Sequence, residues 1–158
     1  VHDNFVFRTC IQEALHSLNR ALELDPENPD YLFTAVEIYD KANMKLEMIK
    51  TYNKIITLDF DDDELYMDYA EVLIELDEVD DALEILKSGL KRHPESDDIH
   101  LMMAGYLMAI SKYAEAFEHI KTANNIDGEA FEKFVEYFPE FLEDETAKKV
   151  IEQIKASL

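Results

Sequence analysis

The sequence predicts an all-α chain assembled from repeated helix pairs, and three observations lead there. Turn formers are scarce, with 3 Gly and 4 Pro in 158 residues, which leaves little material for hairpins and much for long helices. Apolar residues recur at helical spacing, and 47% hydrophobic content is enough for a real core, which argues against disorder. The pattern also returns on itself after 34 residues: Ala14, Met48, Ala82 and Ala116 form one column, and Pro26, Phe60, Pro94 and Gly128 a second. Two independent columns at a period in the stacked-repeat range set the organisation of the chain.

The elements follow in chain order. Residues 8–24 read as the second helix of a pair whose first helix is mostly absent, with 1–7 as its tail. Since the chain also starts on Val rather than Met, a fragment of a longer protein is expected. Pro26 and Pro29 then stop the helix, because proline disfavours helix at the residue before it. Three pairs are expected next, 30–42 with 46–58, 64–76 with 79–91, and 98–110 with 113–126. Their first helices turn inward Leu32, Ala35, Val36 and Tyr39, then Tyr66, Tyr69, Ala70 and Leu73, then His100, Met103, Ala104 and Leu107. Asn43, Asp77 and Ser111 fall at the breaks, and these types tolerate left-handed or turn geometry. Asp30, Asp63 and Asp97 stand where a carboxylate caps or favours a helix N-terminus.

Charge narrows the partners. The 36 acidic residues against 15 Lys and Arg give a formal net charge of −21. Nucleic acid and anionic membrane surfaces are excluded, since both are bound through clustered Lys and Arg. No run of 18 apolar residues and no signal-peptide shape occur, so a soluble, cytoplasmic chain is expected. The single Cys10 makes no intramolecular disulfide, which fits a reducing compartment.

Chemistry-bearing patterns are missing. The acidic stretch 58–66 lacks the Gly and the bidentate Glu of a calcium loop, for counting from Asp61 puts Val72 at the twelfth position. It reads as a solvated turn with helix-favouring acids. The five His show no zinc spacing, and His100 and His119 read as packing or surface residues. The glycines form no phosphate cradle, and no Ser or Cys sits in a nucleophile motif. No metal, no cofactor and no enzyme activity are expected.

Helix pairs of this period with small residues at the close contacts resemble the tetratricopeptide repeat family. Tyr66, Tyr69, Ala70, Leu73, Ala82, Leu86, Gly89 and Pro94 match its pattern closely, and Met103, Ala104, Leu107, Tyr113, Ala116, Ile120 and Ala123 match it again. Ala14, Leu18, Ala21 and Pro26 carry the opening part. The resemblance implies a right-handed superhelical solenoid of antiparallel helix pairs, one domain made of a partial repeat (1–28), three repeats (29–62, 63–96, 97–130) and C-terminal capping helices (131–158). Val36, Met48, Ile55 and Phe60 are larger than the family prefers, so a wider helix separation and altered curvature are expected in the first full repeat. The aromatic-Pro-Glu ending resembles the C-terminal end of longer bacterial proteins of this kind.

In residues 129–158 the repeat pattern is lost. Phe131, Phe134, Tyr137, Phe138 and Phe141 precede or flank Pro139, and a last helix turns Val150, Ile151 and Ile154 inward. A terminal cap over the open apolar edge is the main reading. An aromatic patch that dimerises, or that folds into the groove, is the other.

The resemblance also implies a concave groove lined by the first helix of each pair. On this sequence its partner-binding residues would be Phe33, Glu37, Met67, Glu71, Ile74, Glu75, Leu101 and Met108, apolar anchors among carboxylates. Glu37 and Glu71 replace the cationic row with which some family members clamp acidic peptides. Between Asp59 and Asp81 there are 12 acidic residues and no Lys or Arg. The expected function is a non-catalytic scaffold for a basic or amphipathic peptide segment or protein partner, with self-association as a further possibility. The alternative is an accessory or regulatory region of a larger enzyme.

Overall fold

The computed structural model describes residues 2–60 and 62–158. Among them are nine α-helices, one 3₁₀ turn and no strand. Two compact units divide the chain, Val1–Leu65 and Tyr66–Leu158.

The first unit holds α1 (His2–Leu24), α2 (Pro29–Lys41) and α3 (Lys45–Thr57). Here the expectation for residues 1–7 is corrected: from His2 onward they belong to the same helix as residues 8–24 and are not the tail of another. The physical reason is that no Gly or Pro occurs before Pro26, so nothing in this stretch ends a helix. At α2 the cap is Asn28, whose side chain accepts the Tyr31 N–H at 3.3 Å, with Pro29 at the first helical position. Asp30 lies in the first turn, where its charge meets the positive end of the helix dipole.

The second unit takes up within α4 (Asp63–Glu75) and continues through α5 (Val79–Arg92), α6 (Asp97–Ala109), α7 (Tyr113–Ile126), α8 (Ala130–Tyr137) and α9 (Glu145–Ser157). The Glu64 N–H donates to Asp62 at 3.1 Å as α4 starts, while Asp61 lies outside the described residues. Ser96 caps α6 by accepting the Ile99 N–H at 3.2 Å, so Asp97 is again a first-turn residue rather than the cap.

Each expected break is a left-handed residue: Asn43 has φ 55°, Asp77 63° and Ser111 61°. At each, the next N–H reaches back five residues, Met44 to the Tyr39 carbonyl at 2.8 Å, Glu78 to Leu73 at 2.9 Å and Lys112 to Leu107 at 2.9 Å. This Schellman geometry satisfies a carbonyl that the helix end would leave bare, and returns the chain for the next helix. A fourth left-handed residue, Asp59 with φ 61°, precedes Phe60, where other copies of the turn carry Pro or Gly.

The core of the second unit depends on close approach at Gly89. A Cβ there would lie 2.9 Å from Ile99 Cδ1 and 2.9 Å from Tyr66 Cβ and Cγ. Leu86, Ile99, Leu101, Ile120 and Phe134 are fully buried around this framework. Each such side chain contributes about 1.5–3 kcal/mol by leaving water.

After α8 the chain changes course at Pro139. Phe138, held out of the helical region as the residue before proline, has φ −129° and ψ 59°. A 3₁₀ turn (Pro139–Leu142) follows, and Asp144 caps α9 by accepting the N–H groups of Thr146 at 3.0 Å and Ala147 at 2.7 Å. Ala147, Ile151 and Ile154 form the buried stripe of α9.

Candidate binding face

Within the second unit, Glu71, Ile74 and Glu75 lie four, seven and eight residues after Met67 on α4 and therefore share one face of that helix. Met67 and Ile74 are half-buried, and Glu71 and Glu75 are exposed. Glu71 acts on Tyr106 of α6, whose phenol is pushed well above its ordinary range, first by burial and then by this carboxylate. The α4 stripe therefore offers apolar surface flanked by negative charge. It can take up an apolar side chain and hold a neighbouring cation.

On α6 the expected anchors behave differently. Leu101 is 0% exposed and Met108 3% exposed, so neither offers surface to a partner. This corrects the expectation for both, because α6 packs against α5, α7 and α8 and is buried on nearly every side, at Ile99, Leu101 and Met103 through Met108. Gly105, between them, receives the Phe138 ring, which lies so close that a Cβ on Gly105 would run into it. The same ring packs edge-on against Tyr106 at 6.2 Å and lies 5.4 Å from Phe134 and 5.8 Å from Phe141. Two polar ties join the C-terminal segment to the start of α6. The Tyr137 hydroxyl donates to Asp98 Oδ1 at 2.8 Å, and Lys133 Nζ donates to Asp97 Oδ2 at 2.7 Å. Lys133 also pairs with Asp127 at 2.8 Å, and bonds to Asp127 and Asp97 raise the lysine above its ordinary range.

In the first unit, Phe33 is half-buried and packs edge-on against Phe60, ring centroids 5.6 Å apart. Glu37, one turn along α2, is exposed. Phe60, an unusual residue for this turn, thus gives the Phe33 ring an aromatic neighbour.

Sequence reasoning missed one cluster. His100 and His119 meet Nδ1 to Nδ1 at 2.8 Å across α6 and α7, beside a cleft of about 450 Å³ lined by both rings with Ala114, Glu115, Glu118 and Thr122. One hydrogen joins the two nitrogens, so one ring donates and the other accepts. Burial holds both histidines below their ordinary range, and for His119 the neighbouring His100 adds to the effect. The repeat register carried a signal for this pair, since His100 stands where Tyr66 does in the preceding copy, at an inward place.

Among the described residues no group of three or more His, Cys, Asp or Glu could hold a metal ion. No helix among them is long and apolar enough to cross a membrane.

Residues 49–106 match the family model described as tetratricopeptide repeat. Among solved structures, the fold is similar to that of YrrB, described as a tetratricopeptide-repeat protein with an unusual peptide-binding site. The TM-score is 0.63 at 17% identity, over 96% of this chain and 80% of that one. It is also similar to MamA, with a TM-score of 0.66 at 16% identity over 99% and 93% of the two chains. TTC0263, a thermophilic tetratricopeptide-repeat protein of Thermus thermophilus, gives 0.61 at 16% identity over 93% and 80%. No curated protein sequence matches the chain.

Proposed function

Because the chain carries tetratricopeptide repeats and has their all-helical solenoid fold, we propose that it is a non-catalytic scaffold whose first-helix faces bind a basic, amphipathic segment of a protein partner. The observation that carries this reading is the α4 stripe, where half-buried Met67 and Ile74 lie among exposed Glu71 and Glu75. Apolar side chains of the partner would dock on the thioether and the isoleucine, and Met suits varied ligands because its unbranched chain repacks. The carboxylates would set orientation and speed association, in keeping with a net charge of −21. Phe33 and Glu37 offer the same pairing of ring and carboxylate on α2 of the first unit. That YrrB is described as having a peptide-binding site supports a peptide as the ligand class.

The test compares an amphipathic Lys/Leu peptide with a scrambled peptide of equal charge, titrated into the full chain and into Glu71→Lys and Met67→Ala. Tighter binding of the amphipathic peptide, weakened by both substitutions, is expected. Equal binding of the two peptides would reduce the effect to bulk charge and reject the site.

Self-association is the second reading, and a separate observation favours it. Phe5 is 71% exposed and Phe7 53% exposed on α1, beside exposed Val6. Sedimentation of the chain and of Phe5→Asp/Phe7→Asp decides it: a concentration-dependent dimer lost in the variant supports the reading, and a monomer in both rejects it.

A further inference from the structure

His100 of α6 and His119 of α7 have no part in the scaffold reading. They meet Nδ1 to Nδ1 at 2.8 Å, although 19 residues separate them, and so aim two ring nitrogens at one point. A single hydrogen holds them together. The Pro94 carbonyl is a further partner of His100, and a carbonyl in such a place fixes the orientation of a ligating ring. Both rings line the cleft of about 450 Å³, which gives an incoming ligand its path.

Two imidazole nitrogens converging from different helices are donors that suit late first-row cations such as Zn²⁺, whereas Mg²⁺ and Ca²⁺ prefer oxygen. Nitrogens bound at about 2.0–2.1 Å to one tetrahedral Zn²⁺ stand about 3.3 Å apart, so the rings need to part by only about half an ångström. The shared hydrogen leaves as the ion enters. Among the described residues no group of three His, Cys, Asp or Glu stands ready for an ion, so a third protein ligand has to swing in. Glu115 is placed for this. It precedes His119 by four residues on α7, a spacing at which helical side chains share one ion. It lines the same cleft, and its charge already acts on the His119 ring. Its side chain is exposed and can turn. Asp97 and Glu115 favour a cation at the rings; Lys87 of α5 opposes it but is engaged by Glu84 at 2.6 Å.

We propose that His100, His119 and Glu115 form a binding site for one divalent ion of the zinc class, with water in the fourth position. Bound there, the ion ties α6 to α7 and stabilises the folded chain by mass action. The inference does not rest on peptide binding at α4.

The experiment titrates Zn²⁺ into the full chain at about pH 7.5, where free imidazoles are neutral, with Mg²⁺ in large excess to compete for sites made of oxygen alone. Wild type is compared with His100→Phe, His119→Phe and Glu115→Gln, and circular dichroism follows the fold. One Zn²⁺ per chain is expected, with affinity about tenfold or more weaker in each variant, since even an outer partner of a ligand is worth about 10- to 100-fold. Thermal unfolding should shift upward with Zn²⁺ in wild type and much less in the variants. Nitrogen-15 NMR of the imidazoles needs no substitution: the signals of His100 and His119 should move, while those of His2, His16 and His93 stay. Should a variant lose its helical signal, these wild-type shifts decide. Binding that Mg²⁺ abolishes would be adventitious attachment to surface carboxylates only, and would overturn the proposal. So would unchanged affinity in any of the three variants, or shifts confined to the other histidines.

Discussion

Replacing Gly89 with alanine probes the close helix contact on which the second unit is built. In an ordinary helix interior this change stabilises by about 0.8–1.0 kcal/mol. Here the new methyl would stand 2.9 Å from Ile99 Cδ1 and 2.9 Å from Tyr66 Cβ and Cγ, whereas carbon atoms pack best at about 3.5–4.0 Å. Tyr66 is 1% exposed and Ile99 0% exposed, and Tyr66 Cβ is set by the backbone, so no rotamer change carries that atom away. Overpacking a filled core costs about 1–3 kcal/mol, and three simultaneous contacts place this case in the upper part of that range. Set against the helix-propensity gain, a net loss of about 1–2 kcal/mol is expected, which lowers Tm by about 2–8 °C at this chain length. Gly128 is the internal control. It has nothing within 4 Å of an added Cβ, and no glycine here has positive φ. Gly128→Ala should therefore stabilise by about 0.4–1 kcal/mol through the unfolded state. Thermal and urea unfolding of both variants measure the contrast. A Gly89→Ala protein as stable as wild type, or effects of the same sign at both glycines, would refute the reasoning.

Further expectations come from the turns and the histidine pair. Ser111 bears the cost of a left-handed backbone without the side-chain advantages of Asn43, so Ser111→Gly should raise stability by about 0.5–1 kcal/mol, and Asn43→Gly by less. Urea midpoints at unchanged m-value check this. For the histidines, the folded chain binds protons less readily than the unfolded chain, whose imidazoles titrate near the ordinary 6.5. Stability is therefore full above that value and falls as pH drops through it toward the folded values. Asp97 and Glu115 oppose the shift, while Lys87 reinforces it at His119. His100→Phe/His119→Phe should lose less stability than wild type between about pH 7.5 and pH 5.5. An unchanged pH slope in urea titrations would count against a neutral pair in the native state.

Much of this fold was legible in the sequence because a solenoid repeats its local physics. The three expected pairs lie within one residue of α2 to α7 at both ends, and Asn43, Asp77 and Ser111 are indeed the left-handed residues. At the starts of α2 and α6 the one-residue offset arises because Asn28 and Ser96 cap ahead of the expected acids. What escaped was the part that depends on breaking the repeat. Leu101, Gly105 and Met108 occupy places that face a partner in a regular array, but no 34-residue pattern says on which side a C-terminal segment folds. Gly105 held a clue, since a glycine inside a helix asks for a neighbour that needs the space. The His100 and His119 pair escaped because nineteen residues separate them and only the packing of α6 on α7 brings the rings together.

The most direct test of the scaffold reading is an NMR titration of the full chain with the amphipathic Lys/Leu peptide at two salt concentrations, read at the amides of α4. Shifts centred on Met67, Glu71, Ile74 and Glu75, with affinity falling as salt rises, are expected because exposed carboxylates are screened within about 8–10 Å at physiological ionic strength. Shifts spread evenly over the acidic surface, or an affinity that salt does not change, would contradict it.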